Sequence, residues 1–151
     1  MDDRTGRRDG PEPAAPDPWT GPPGDEVASA NVDHESAYEL LQRGRELSRR
    51  RHHAQAATVL ERAARLEPGK ASILEALGRA YFNSGQHESA RATAEALLEI
   101  DPSAHYAHFV LAESLRKLGR TDEARTHLRL AAALDPSSDL YGAALRRLGK
   151  G

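Results

Sequence analysis

"LEIDPSAHY", residues 98–106, sets an aliphatic residue, an acid and a proline in a row. The same step returns as Leu66-Glu67-Pro68 and as Leu134-Asp135-Pro136, so the three prolines stand 34 residues apart. Counting back from Pro68, Pro102 and Pro136 exposes a register. Twenty-eight residues before them stand Leu40, Leu74 and His108; twenty-four before, Gly44, Gly78 and Ala112; twenty-one before, Leu47, Tyr81 and Leu115. Twelve before stand Ala56, Ala90 and Ala124; eight before, Leu60, Ala94 and Leu128; five before, Ala63, Leu97 and Ala131. The chain carries a 34-residue internal repeat in three copies.

The spacing within each copy has a physical meaning. The first set, completed by Arg43, Leu77 and Leu111, runs i, i+3, i+4, i+7, which is one face of a helix. The second set runs i, i+4, i+7 and marks a second helix. The small residue in the first set lets the two come close. "NSGQ" around Gly85 and "KLGR" around Gly119 read as turns between them, since glycine after a helix end adopts the left-handed conformation at little cost. Thr121 is expected to cap the helix after Gly119. Proline closes each pair because it has no N–H to donate and disfavours helix in the residue before it. Ser103 and Ser137 are expected caps for the helices that follow. One pair cannot bury its own apolar face, whereas stacked pairs share a core.

These residues resemble the tetratricopeptide repeat family, in repeat length, small residues, Tyr81 and the three prolines, over about 37–136. The resemblance implies an all-α fold: an α-solenoid of three helix-turn-helix repeats (about 37–70, 71–104 and 105–138) within a domain spanning 34–151. "DLYGAALRRLG" predicts a capping helix at about 139–148, with Ala144, Leu145 and Leu148 turned inward. Three departures from the family pattern stand out. Arg43 replaces an aliphatic residue, Ala94 and Leu97 are interchanged in size, and His108 replaces a bulky apolar residue.

Outside the repeats the composition changes. Six of the nine prolines lie between Pro11 and Pro23, and the stretch offers almost nothing to bury, which predicts a disordered acidic tail over 1–33. Met1–Ser36 carries nine acids and three arginines, a net −6, against +4 for Ala37–Gly151. That basic excess is too dilute to expect nucleic acid as the partner. The absence of cysteine excludes disulfides and thiolate metal sites. No apolar run approaches a membrane span and no signal segment opens the chain, so a cytoplasmic protein is expected. Abundant arginine and alanine point to a bacterial coding bias.

The family's members are mostly binding scaffolds whose first helices line a concave groove. By register, that surface includes Tyr38, Leu41, Arg45 and Arg49 in the first repeat, Arg79, Phe82 and Asn83 in the second, and Tyr106, Phe109, Glu113, Arg116 and Lys117 in the third. Aromatics beside arginine are common at binding hot spots, so the expected partner is a protein or peptide with acidic and apolar residues. The chaperone-binding subgroup clamps a C-terminal carboxylate with lysines, an arginine and asparagines. Here those places hold Leu41, Arg45, Ala76, Tyr106 and Val110, and with one cation among them that clamp is not expected.

Other chemistries have less support. His105 and His108 share a helix face by spacing, but no third ligand is placed, so surface histidines are expected and no metal or cofactor. No nucleophile motif or phosphate loop occurs, and catalysis is not expected. Two alternatives to an adaptor remain. One is self-association, including a homodimer, through Leu140 and Tyr141 on the cap. The other is a docking subunit within a larger enzyme or transport assembly. Trp19 in the acidic tail reads as a short recognition element, as an incidental exposed residue, or as part of a segment that folds back over the basic groove.

Overall fold

The computed structural model describes residues 34–150, and within them the compact unit begins at Ser36. Among the described residues seven helices follow one another: α1 Ala37–Arg49, α2 His53–Leu66, α3 Ala71–Asn83, α4 His87–Ile100, α5 His105–Lys117, α6 Thr121–Leu134 and α7 Asp139–Lys150. No strand occurs among the described residues. Consecutive helices pack on each other, and α1, α3 and α5 also adjoin in a row. The result is the expected α-solenoid of three helix pairs with a seventh helix as cap. The expected disorder of 1–33 and the role suggested for Trp19 lie outside the described residues.

The acid-proline steps are the joints. Glu67, Asp101 and Asp135 end α2, α4 and α6 with nearly the same backbone, at φ/ψ of −133/80°, −141/91° and −136/81°. Each carbonyl then accepts from the N–H three residues on, at Lys70 (3.4 Å), Ala104 (3.0 Å) and Ser138 (3.2 Å). Proline sits second in each turn, where its fixed φ is an advantage. Ser103 and Ser137 do not cap the helices as expected. Their hydroxyls donate to Asp101 and Asp135, both at 2.7 Å, and brace the turn instead. Ser138 Oγ accepts from the Tyr141 N–H at the start of α7. Thr121 is also not a cap, being the first helical residue, after Arg120. A complete capping box stands at α1, where Ser36 Oγ accepts from the Glu39 N–H (3.0 Å) and Glu39 Oε1 from the Ser36 N–H (2.9 Å).

The turns inside the pairs are also one geometry used three times. Arg51, Gly85 and Gly119 occupy equivalent places at φ 66°, 84° and 85°. In each, two backbone N–H groups reach back to the preceding helix, as His52 and Arg51 do to Leu47 and Ser48. Glycine suits this region, whereas an arginine there is strained.

The second-helix half of the register read from the prolines sits in the core, whereas Arg43 of the first-helix half is exposed. Ala56, Leu60 and Ala63, and their counterparts Ala124, Leu128 and Ala131, are all fully buried, as is Ala90, with Ala94 and Leu97 nearly so. The interchange of Ala94 and Leu97 has a local consequence. Gly44 lies directly under Leu60, so close that an added Cβ would be 2.5 Å from Leu60 Cγ. At the matching Gly78, where Ala94 replaces the leucine, a Cβ would meet its nearest neighbour, Thr93, at an ordinary 3.6 Å. Tyr81 packs against the core on both sides of the second repeat and donates its hydroxyl to Glu61 Oε2 at 2.5 Å. Burial first, and the carboxylate second, push its phenol well above the usual range. On α7, Ala144 and Leu148 are buried and Leu145 half-buried, as the sequence predicts.

Candidate functional site

The first helices of the pairs present the expected surface, but its two ends differ. Between α1 and α3 lies a cleft of about 290 Å³ lined by Arg45, Arg49, Arg79, Asn83, Glu75 and His53, among others. Arg45 is exposed and makes no hydrogen bond or ion pair among the described residues. Arg49 donates to Glu46 at 2.6 Å, and hydrogen bonds from Arg49 and then Arg50 hold the Glu46 carboxyl below its ordinary range. Arg79 is held in place: its Nε donates to Tyr106 Oη at 3.0 Å, its guanidinium lies 4.6 Å from the ring centre, and Glu75 is 3.9 Å away. Tyr38 stands 68% exposed at the other end of α1.

The third-repeat end is internally occupied. Tyr106 and Phe109 are half-buried rather than open, with ring centres 5.8 Å apart. Phe109 in turn meets Tyr141 of α7 at 5.4 Å. Tyr141, expected as an exposed self-association contact, is 3% exposed, and its hydroxyl pairs with His105 Nδ1 at 2.7 Å. Burial pushes its phenol up to about 12. Leu140 remains exposed. Two further residues depart from the expected surface: Leu41 belongs to the core, and Glu113 is buried beside Arg116 at 2.8 Å. Phe82 is half-buried and tilted against His87, while Asn83 and Lys117 are exposed. His53, which sequence reasoning left out of the groove, lines the cleft from the start of α2. Its signal was the basic run "SRRRHH", which folds back at the first intra-pair turn.

His108 is not a surface histidine. It is buried, with Nε2 3.0 Å from the Pro102 carbonyl and Nδ1 3.1 Å from His127 Nδ1. A neutral His108 donating to Pro102 and accepting from His127 satisfies this geometry. Burial first, and the adjoining His108 second, hold His127 below its ordinary range, while Glu123 and Glu95 pull the other way. The polar pair does the work of a bulky apolar side chain at this position. Among the described residues no group of three or more His, Cys, Asp or Glu is placed to hold a metal ion, and no helix is long and apolar enough to cross a membrane.

A family of repeats with this length, this pairing and these proline joints is identifiable by comparison. The tetratricopeptide repeat model matches residues 41–105 and again 76–139. The chain belongs to the tetratricopeptide repeat family. Solved structures of the same fold include the first TPR of Spaghetti (RPAP3) bound to HSP90 peptide SRMEEVD, at 16% identity and a TM-score of 0.72, covering 76% of this chain and 91% of that one. The Yersinia enterocolitica type III secretion chaperone SycD in complex with a peptide of the translocator YopD aligns at 19% identity and a TM-score of 0.64, over 75% and 86% of the two chains. YrrB, a TPR protein with an unusual peptide-binding site, aligns at 19% identity and 0.71, over 82% and 68%. No curated protein matches the chain. Within the tetratricopeptide repeat framework, α1, α3 and α5 are the first helices, and the cation-lined cleft lies between two of them.

Proposed function

We propose that this protein is a binding scaffold without chemistry of its own, holding a peptide or protein segment on the face formed by α1, α3 and α5. The observation that carries this is the cleft between the first two repeats, where Arg45 stands exposed, and unpaired among the described residues, beside Arg49 and Arg79. An unpaired arginine next to exposed tyrosine offers both charge and apolar contact to a partner with acidic and apolar residues. The structures of relatives with bound peptides support this reading, and a cytoplasmic adaptor is its simplest form. The test is capture by the full chain. A partner held by wild type, lost with Arg45→Glu/Arg79→Glu and kept by Arg129→Glu on α6, supports the groove. Equal capture by all three proteins refutes it.

A second reading has its own observation. Leu66, Ile100 and Leu134, the last residues of α2, α4 and α6, are 54%, 48% and 42% exposed at one repeated position. A row of aliphatic side chains on a repeat surface suits self-association. Light scattering of wild type and Ile100→Glu tests it: a dimer converted to monomer supports this reading, and a wild-type monomer rejects it.

A further inference from the structure

The groove is divided, and the division specifies a ligand pattern. A second cleft, of about 230 Å³, adjoins the first at Arg45 and Ser72. It is lined by Ala37, Tyr38, Leu41 and Ile73, together with Lys70 and Glu67, which stand 3.7 Å apart as an ion pair. Leu41 and Ile73 are almost fully buried and form an apolar floor, while Tyr38 is an open wall. The first cleft is cationic, with Arg45, Arg49 and Arg79 against the single lining acid Glu75. At the third repeat the arginine and the aromatic groups already have partners within the molecule, while Lys117 is exposed. Arg116 holds Glu113, and Tyr106, Phe109 and Tyr141 close on one another.

We propose that the paired clefts recognise an extended acidic segment through two points: an apolar side chain against Tyr38 and a carboxylate against Arg45. The order is apolar at the start of α1 and acidic toward its end. Tyr38 and Arg45 are seven residues apart on one helix, a rise of roughly 10 Å, which an extended segment covers in about three residues. Both points are side-chain contacts, so a free C-terminal carboxylate is not required. Charge complementarity selects this occupant. Arg45, unpaired among the described residues, gains a partner without first breaking an ion pair among them, whereas Arg49 and Arg79 are held by Glu46 and Tyr106. The inference rests on the groove reading above and adds register and spacing to it.

The test uses fluorescein-labelled, C-terminally amidated Gly/Ser peptides of about twelve residues. The probe carries one leucine and, three residues on, a pair of glutamates. The controls replace the glutamates with lysines, replace the leucine with serine, or move the glutamates several residues further away. Anisotropy gives affinity, and amide chemical shifts of the full chain give position. The expected result is strongest binding by the probe, at least tenfold weaker binding with Arg45→Glu, a several-fold loss with Tyr38→Ala, and shifts confined to α1 and α3. Both variants change exposed side chains, and an unchanged unfolding midpoint verifies that they fold. If all acidic peptides shift α1 and α3 equally, whatever the spacing or leucine, the register is overturned and the groove survives. If no peptide binds, or if shifts fall on α2, α4 and α6, both readings fall.

Discussion

The first and third repeats share one register and put it to different uses. Arg45 and Glu113 occupy the same place, yet among the described residues the arginine is exposed and unpaired while the glutamate is buried and paired. Tyr38 and Tyr106 also correspond, yet one is open and the other is locked between Arg79 and Phe109. The cause is position in the stack. The third repeat lies between α4 and α7, whereas the first packs on α3 alone among the described residues. In a solenoid each unit contacts only its neighbours, so identical positions acquire different surroundings at the ends. A repeat register therefore says where a residue stands, and the neighbours decide whether it is available.

Removing the closure at the third repeat should have the largest effect. Tyr141→Ala deletes the buried ring that joins α7 to His105 and Phe109, and should cost about 3–5 kcal/mol. Denaturant titration would measure it, and a loss below about 1 kcal/mol would mean that α7 is not what closes this end. Peptide shifts at α1 should persist under conditions where the variant remains folded.

The two glycines of the helix-pair contact sharpen the contrast further. Gly44→Ala forces a methyl into Leu60 and should destabilise by about 1–3 kcal/mol through overpacking. Gly78→Ala finds ordinary contact distances and should stabilise by up to about 1 kcal/mol from helix propensity. Melting curves of the pair test this, and the same sign for both would contradict the role given to the Ala94 and Leu97 interchange.

This difference also shows what was legible in the sequence. The 34-residue spacing, the small residues at Ala56, Ala90 and Ala124 and the three prolines declare the fold, because each obeys a local rule that one strand of reasoning can follow. The size swap at Ala94 and Leu97 is visible as well, but its effect on Gly78 requires the two helices to be seen together. Glu113 and Leu41 are harder. Both lie at groove positions by register, and their burial depends on contacts outside that count. The "SAYE" capping box at Ser36 is legible in the sequence, while Thr121 has the chemistry of a cap and is the first helical residue instead.

Smaller still is the effect at the intra-pair turns. Arg51→Gly should stabilise by about 0.5–1 kcal/mol, because the left-handed strain of about 1–2 kcal/mol is partly offset by the extra freedom of glycine in the unfolded chain. Gly119→Ala should move the unfolding midpoint in the opposite direction. A neutral Arg51→Gly would show that its positive φ is not strained.

The last prediction concerns pH. His127 is held below its ordinary range by burial and by His108, so the unfolded chain takes up a proton more readily than the folded one. Stability from this source is present above the unfolded value, about 6.5, and declines as the pH falls below it. The groups facing His127 are His108, Glu123 and Glu95, and the two acids moderate the effect. Urea midpoints at neutral and mildly acidic pH should differ, and His127→Gln should reduce the difference. An equal pH dependence in the variant would assign it elsewhere.

The matching dihedrals of Glu67, Asp101 and Asp135 have a consequence for architecture on a longer scale. Because each joint leaves its helix in the same direction, the segment 71–104 is a cassette bounded by interchangeable ends. A gene in which that cassette is duplicated in frame should encode a longer rod of the same pitch, with α7 still closing its far end and Tyr38 and Arg45 still facing solvent at the near one.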